Sequence, residues 1–221
     1  MGSRILSGVF IAFFLWVSQG LASPIGIFNS SFELPLCAGT VDPVTCMPSN
    51  WTVYDPPGVF SGAYRPLSTD STTWDSIPDG IQVAFSNGGT LTQILAANIV
   101  PDMTYTLSVW VSQRCCAGSF FPEIQLLGGS TPVITMNKAN PGGAAPPRNP
   151  DGSYAWEDWA MSWTSPSSGP IIGQTLSIVL GSDATQTDFD NVSLTANPEP
   201  GMFVLVAGGL IGLGIRRRSA K

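Results

Sequence analysis

Residues 104–111 read TYTLSVWV, and the rest of the chain is best understood outward from them. Tyr105, Leu107, Val109 and Val111 fall on one side of a period-two pattern, with Thr106, Ser108 and Trp110 on the other. Successive side chains of a strand point to opposite faces, so this alternation specifies a strand with one apolar and one polar side. Weaker versions of the pattern surround it, at Ile25–Phe28, Thr90–Leu95, Glu123–Leu127, Val133–Met136, Leu176–Leu180 and Phe189–Leu194. Ile81, Val83 and Phe85 alternate and end in the turn signal Ser86-Asn87-Gly88-Gly89. Trp159, Met161 and Trp163 alternate with Ala160 and Ser162 and are expected to point together into a core. Residues 140–152, NPGGAAPPRNPDG, form a long loop that no strand can enter. No stretch holds helical periodicity over three turns. Short strands punctuated by turns predict an all-β fold, a single antiparallel β-sandwich over residues 23–196.

Composition agrees. Charged residues make up 11% of the 221-residue chain and apolar residues 43%, which is too apolar for disorder and too poor in helix formers for a bundle. Between Ser23 and Ala196 stand four cations and fourteen carboxylates, a net charge near −10. Such a surface repels phosphate backbones, which argues against a nucleic-acid partner. There is no histidine, so Ser-His-Asp and Cys-His nucleophile pairs and every histidine-based metal site are excluded.

The two ends differ from this body. Residues 1–22 carry one early charge, Arg4, then an apolar run and the small residues Gly20 and Ala22. That pattern reads as a secretory signal peptide cut by signal peptidase between Ala22 and Ser23. Residues 197–221 read NPEPGMFVLVAGGLIGLGIRRRSAK. The uncharged stretch 201–215 would span about 22 Å as a helix, against roughly 30 Å of bilayer hydrocarbon, so it suits a transient membrane contact better than a permanent anchor. Pro198, Glu199 and Pro200, the short apolar stretch and Arg216, Arg217 and Arg218 together resemble the PEP-CTERM sorting signal of Gram-negative bacteria. The resemblance implies processing by the membrane enzyme exosortase, an inner-membrane intermediate, and delivery to the cell surface or extracellular matrix.

The body carries its own likeness. The order IFNSSFELP, NWT, GIQVAF, LTQIL, YTLSVWV, WEDWAMSWTSP and FDNVSL resembles the galactose-binding-like β-jelly-roll domains, which include carbohydrate-binding modules. The jelly roll brings the ends of its first and last strands together, and in the resembling modules that place holds a structural calcium. The resemblance therefore implies calcium at Glu33 and Asp190, in keeping with the ion's demand for six to eight oxygens. A plainer alternative has both carboxylates accepting hydrogen bonds from turn amides.

Six tryptophans, with a seventh (Trp16) in the signal segment, and four tyrosines in an acidic domain suggest sugar-stacking platforms. Trp110, on the polar side of its strand, is the candidate platform; Tyr54, Tyr64 and Trp74 are read as loop residues. Glu157 and Asp158 are adjacent, so as strand neighbours they cannot face each other across a glycosidic bond. Glu123 is the other strand acid a hydrolase could use. Four cysteines in an exported chain favour disulfides. Cys37–Cys46 is expected as a local bridge with Cys115 and Cys116 left open; the alternative ties the Cys37–Cys46 loop to Cys115-Cys116 by two bridges.

The expectation from sequence is therefore a non-enzymatic exported surface or matrix protein, sorted by exosortase and associated with exopolysaccharide. The alternatives are a structural or adhesive matrix protein with no small ligand, and a carboxylate-dependent glycoside hydrolase.

Overall fold

A computed structural model describes residues 22–39, 44–66, 74, 76–114, 120–183 and 185–199. The compact unit runs from Ala22 to Pro198. It contains twelve strands among the described residues: β1 (Ser23–Pro24), β2 (Val44–Cys46), β3 (Thr52–Tyr54), β4 (Ser61–Arg65), β5 (Val83–Ser86), β6 (Thr90–Asn98), β7 (Met103–Gln113), β8 (Pro122–Gly128), β9 (Thr131–Asn137), β10 (Glu157–Thr164), β11 (Thr175–Ser182) and β12 (Thr187–Pro198). The larger sheet has the order β10-β7-β12-β5-β4-β2, with β1 paired to β12, and the smaller has the order β3-β6-β11-β8-β9. All strand pairs are antiparallel. The two sheets form a jelly-roll sandwich, as expected.

The TYTLSVWV strand lies one in from the edge of the larger sheet, between β10 and β12. Tyr105, Leu107, Val109 and Val111 are buried in the main core with Ile124, Leu126, Leu176, Ile178, Leu180 and Phe189. Trp159 is buried in the same core, and Met161 and Trp163 pack against it at its margin. Tyr105 closes one end: its ring stacks on Trp163 at 5.9 Å, and its hydroxyl accepts from the Val100 amide at 2.8 Å. A buried tyrosine thereby satisfies its polar tip while contributing a large apolar area.

Near the start of the domain, Cys37 and Cys46 form the local bridge. Gln82 braces the same region from inside: its Oε1 accepts from the Cys37 amide, and its Nε2 donates to the carbonyls of Phe32 and Pro35. A fully buried amide needs these partners, because an unpaired one costs on the order of 1–3 kcal/mol. Cys115, Cys116, the signal segment and the tail from Pro200 onward lie outside the described residues.

Candidate active site

A sandwich needs one apolar face per sheet, yet part of the larger sheet is buried on both. Along β5, Ala84 points into the main core while Val83 and Phe85 point outward into a second cluster with Tyr64, Trp74 and Trp156. Ile77, Trp110 and Tyr154 pack against that cluster. Its cover comes from two connections, the β4–β5 segment carrying Trp74 and Ile77 and the β9–β10 loop carrying Tyr154 and Trp156. Trp74 meets Tyr64 edge-on at 5.6 Å and Trp156 at 5.7 Å. The indole N–H of Trp156 donates to the Ser76 carbonyl at 2.7 Å, and the Ser112 hydroxyl to the Ala155 carbonyl at 2.9 Å. Hydrogen bonds thus hold the β9–β10 loop against both the β4–β5 connection and the sheet.

Asp188 lies on this outer face. It stands opposite Phe85 on β5 and Ser112 on β7, and it is fully buried. Gln186 Nε2 donates to Asp188 Oδ1 at 2.8 Å, while Oδ2 has no hydrogen-bond partner among the described residues. Burial disfavours the charged form and pushes the carboxyl up to about 7, although Gln186, the Arg114 charge and the nearby Trp74 indole pull the other way. Trp74 Nε1 acts on the carboxylate through proximity alone, since its N–H makes no hydrogen bond of ordinary geometry. A cavity of about 120 Å³ is lined by Thr45, Phe60, Tyr64, Phe85, Asn87, Arg114 and Gln186, and Gln186 is its link to the Asp188 carboxyl. The Arg114 guanidinium lies 5.4 Å from the centre of the Tyr64 ring. A half-neutral buried carboxyl linked to an aromatic-walled cavity is poised to give or take a proton near neutral pH. A larger hollow of about 650 Å³, lined by residues including Trp163, Pro166 and Ile171, has no ionisable residue in its wall.

The residues expected from sequence fall as follows. Glu33 Oε1 accepts from the amides of Ile81 and Gln82, and Asp190 accepts from the amides of Asp79 and Asn191, which is the turn-amide alternative. The fold does bring the two together, with Asp79 as a third carboxylate: burial, followed by the charges of Asp79 and Glu33, pushes Asp190 up to about 8 against the pull of its amide bonds. No cluster of three or more acidic or cysteine ligands with metal-holding spacing occurs among the described residues. Trp110 sits opposite Asp158 and Asp190, half-buried against the second aromatic cluster. Glu123 is half-buried on β8, its carboxyl raised by burial and by Asp183 and lowered by a bond with Asn137. Tyr64 and Trp74, read from sequence as loop aromatics, are buried instead, and Tyr64 is a β4 strand residue. Asp188 carried no sequence signal: in TDFD it alternates with Phe189 like any solvent-facing strand residue.

Comparison with known proteins places the chain as a whole. A protein-family model, HpiC1-like (HpiC1 cyclase), matches residues 23–195. A search of curated proteins finds no match. Among solved structures, an apo cyclase from Fischerella sp. is 27% identical with a TM-score of 0.64, covering 80% of this chain and 97% of its own. The Stig cyclase FisC from Fischerella sp. TAU, in complex with (3Z)-3-(1-methyl-2-pyrrolidinylidene)-3H-indole, is 25% identical with a TM-score of 0.65, covering 80% and 99%. A cyclase from the same strain in complex with 4-(1H-indol-3-yl)butan-2-one is 25% identical with a TM-score of 0.64, covering 80% and 98%. Carbohydrate-binding modules also match, at TM-scores of 0.46 or less and identities of 16% or less, too remote to carry an argument about function. These findings overturn the reading of a non-enzymatic, exosortase-sorted matrix protein associated with exopolysaccharide, together with its structural and hydrolase alternatives. The likeness to sugar-binding domains arose because the same jelly roll serves unrelated functions, and short strand motifs report the scaffold rather than the site. The chain belongs to the HpiC1 cyclase-like family.

Proposed function

We propose that this protein is a cyclase that closes a ring on a small aromatic substrate, with Asp188 as its proton donor. The observation that carries the reading is the fully buried Asp188 carboxyl, with one oxygen unpartnered among the described residues, joined through Gln186 to the cavity walled by Phe60, Tyr64 and Phe85. Closing an unsaturated side chain onto an aromatic nucleus leaves the composition unchanged. A proton is added at one carbon, a carbon–carbon bond forms at the expense of a π bond, and a proton leaves the new ring junction. A carboxyl kept partly protonated near neutral pH suits the first step, and aromatic faces stabilise the positive charge that follows. The indole ligands bound by the Fischerella cyclases support an indole-type substrate here. Incubation with 3-substituted indoles bearing an unsaturated side chain is expected to yield an isomer of unchanged mass and new retention time. Asp188→Asn is expected to lower kcat by about a hundredfold or more while substrate still binds. Full turnover by that variant would remove Asp188 from the mechanism.

The same reading includes export and a structural calcium. Export is supported by the signal-like residues 1–22 and by the Cys37–Cys46 bridge, since such bridges persist in oxidising compartments. Signal peptidase is then a partner, and residues 201–215 touch the membrane in passing. Calcium is supported by the charges of Asp79 and Glu33 acting on Asp190, a repulsion that a divalent cation drawing the three closer would relieve. Glu33 Oε2 and Asp79 Oδ1 accept no hydrogen bond among the described residues, which leaves them as donors to such an ion.

A further inference from the structure

Gln186 belongs at once to the Asp188 carboxyl and to the cavity wall. Its Nε2 is committed to Asp188 Oδ1 at 2.8 Å, and its side chain lines the cavity beside Phe85, Asn87 and Arg114. Its Oε1 makes no hydrogen bond among the described residues, and the residue is only half-buried, so that oxygen is an accessible acceptor. A side-chain amide tied down at its nitrogen has its carbonyl direction fixed as well, because the two groups share one plane. The size of the cavity matters too. An apolar cavity of roughly 150 Å³ admits a benzene ring, so about 120 Å³ holds at most one ring of a substrate, the rest of which lies at its mouth. A ring resting against the aromatic wall of Phe60, Tyr64 and Phe85 is held by apolar contact, which says nothing about its edge. An edge contact is what separates one flat heteroaromatic from another.

We propose that Gln186 is a specificity and positioning residue: its Oε1 accepts a hydrogen bond from a ring N–H of the substrate while its Nε2 holds the Asp188 carboxyl in place. The inference rests on the cyclase reading above and assigns recognition of the substrate's ring N–H to one residue. It also links recognition to chemistry, since the amide that reads the N–H is the one that orients the proton donor.

The test uses the full chain, with calorimetric titration of two flat probes of similar size, indole and benzothiophene, the second lacking the N–H. Indole is expected to bind roughly tenfold more tightly, as befits one hydrogen bond whose loss strands an acceptor. Gln186→Leu is expected to bind the two probes equally, with benzothiophene affinity unchanged. The same variant is expected to lower kcat on the indole substrate by more than its change in KM, which loss of binding alone would not do. Equal binding of both probes to the unaltered protein overturns this inference alone and stands even if the variant fails to fold. An undiminished preference for indole in Gln186→Leu also overturns it. Failure of both probes to bind overturns it together with the assignment of the cavity as the cyclase site.

Discussion

Asp188 and Asp190 lie two positions apart on β12, both fully buried, and each carries its proton well above the ordinary carboxylate range. For Asp188 the consequence for stability has a definite sign. Below about pH 4 the carboxyl is protonated in both the folded and the unfolded chain. As pH rises from there toward 7, the unfolded chain ionises while the folded one must hold its proton or bury a charge, so stability falls through that window and levels off above it. For a group this buried the loss amounts to at most about 4 kcal/mol, a large part of a typical domain's margin. Urea unfolding across pH 4–8 is expected to show this decline, with a shallower one in Asp188→Asn; parallel curves would show that Asp188 ionises as freely folded as unfolded. An unaided carboxyl would not be kept at such a cost for stability's sake, which is why the position reads as functional.

At the scale of elements, the alternating pattern worked where a strand has one covered face and fell short where it has two. TYTLSVWV was legible because Thr106 and Ser108 mark its polar side and Tyr105 to Val111 its core side. In β5 the larger residues, Val83 and Phe85, face the second cluster, and only Ala84 enters the main core. Alternation locates the two faces of a strand but not which of them a loop will cover. The same limit concealed Tyr64 and Trp74. Elements far apart in the chain also meet at Glu33, Asp79 and Asp190, which join the segment after β1, the β4–β5 connection and β12. Glu33 packs so closely on Gly80 (φ +75°) that a Cβ there would lie 2.3 Å from its carboxyl carbon, so this turn requires glycine. If calcium ties these segments, chelation is expected to lower the melting midpoint by roughly 5–10 °C relative to calcium at about a hundredfold its dissociation constant. That response is expected to disappear in Asp190→Ala. A midpoint indifferent to calcium would leave the three carboxylates to the amides and the proton.

At the scale of the whole molecule, export predicts a mature protein that begins at Ser23. Intact mass of protein recovered from native cells checks this, and a mass retaining Met1 would place the chain in the compartment where it was made. By itself the sequence determined the sandwich and its principal strands, because strand periodicity and turn chemistry act between near neighbours, while between the two disulfide pairings it left open the structure chose the local Cys37–Cys46 bridge. The absence of histidine likewise ruled out whole classes of chemistry before any fold was known. Only the tertiary structure decided the site. Asp188 looks like any outward strand residue until the β4–β5 and β9–β10 connections lay Trp74 and Trp156 over the sheet. Its altered acidity comes from that burial, and burial is a property of what the distant chain covers rather than of the residues on either side.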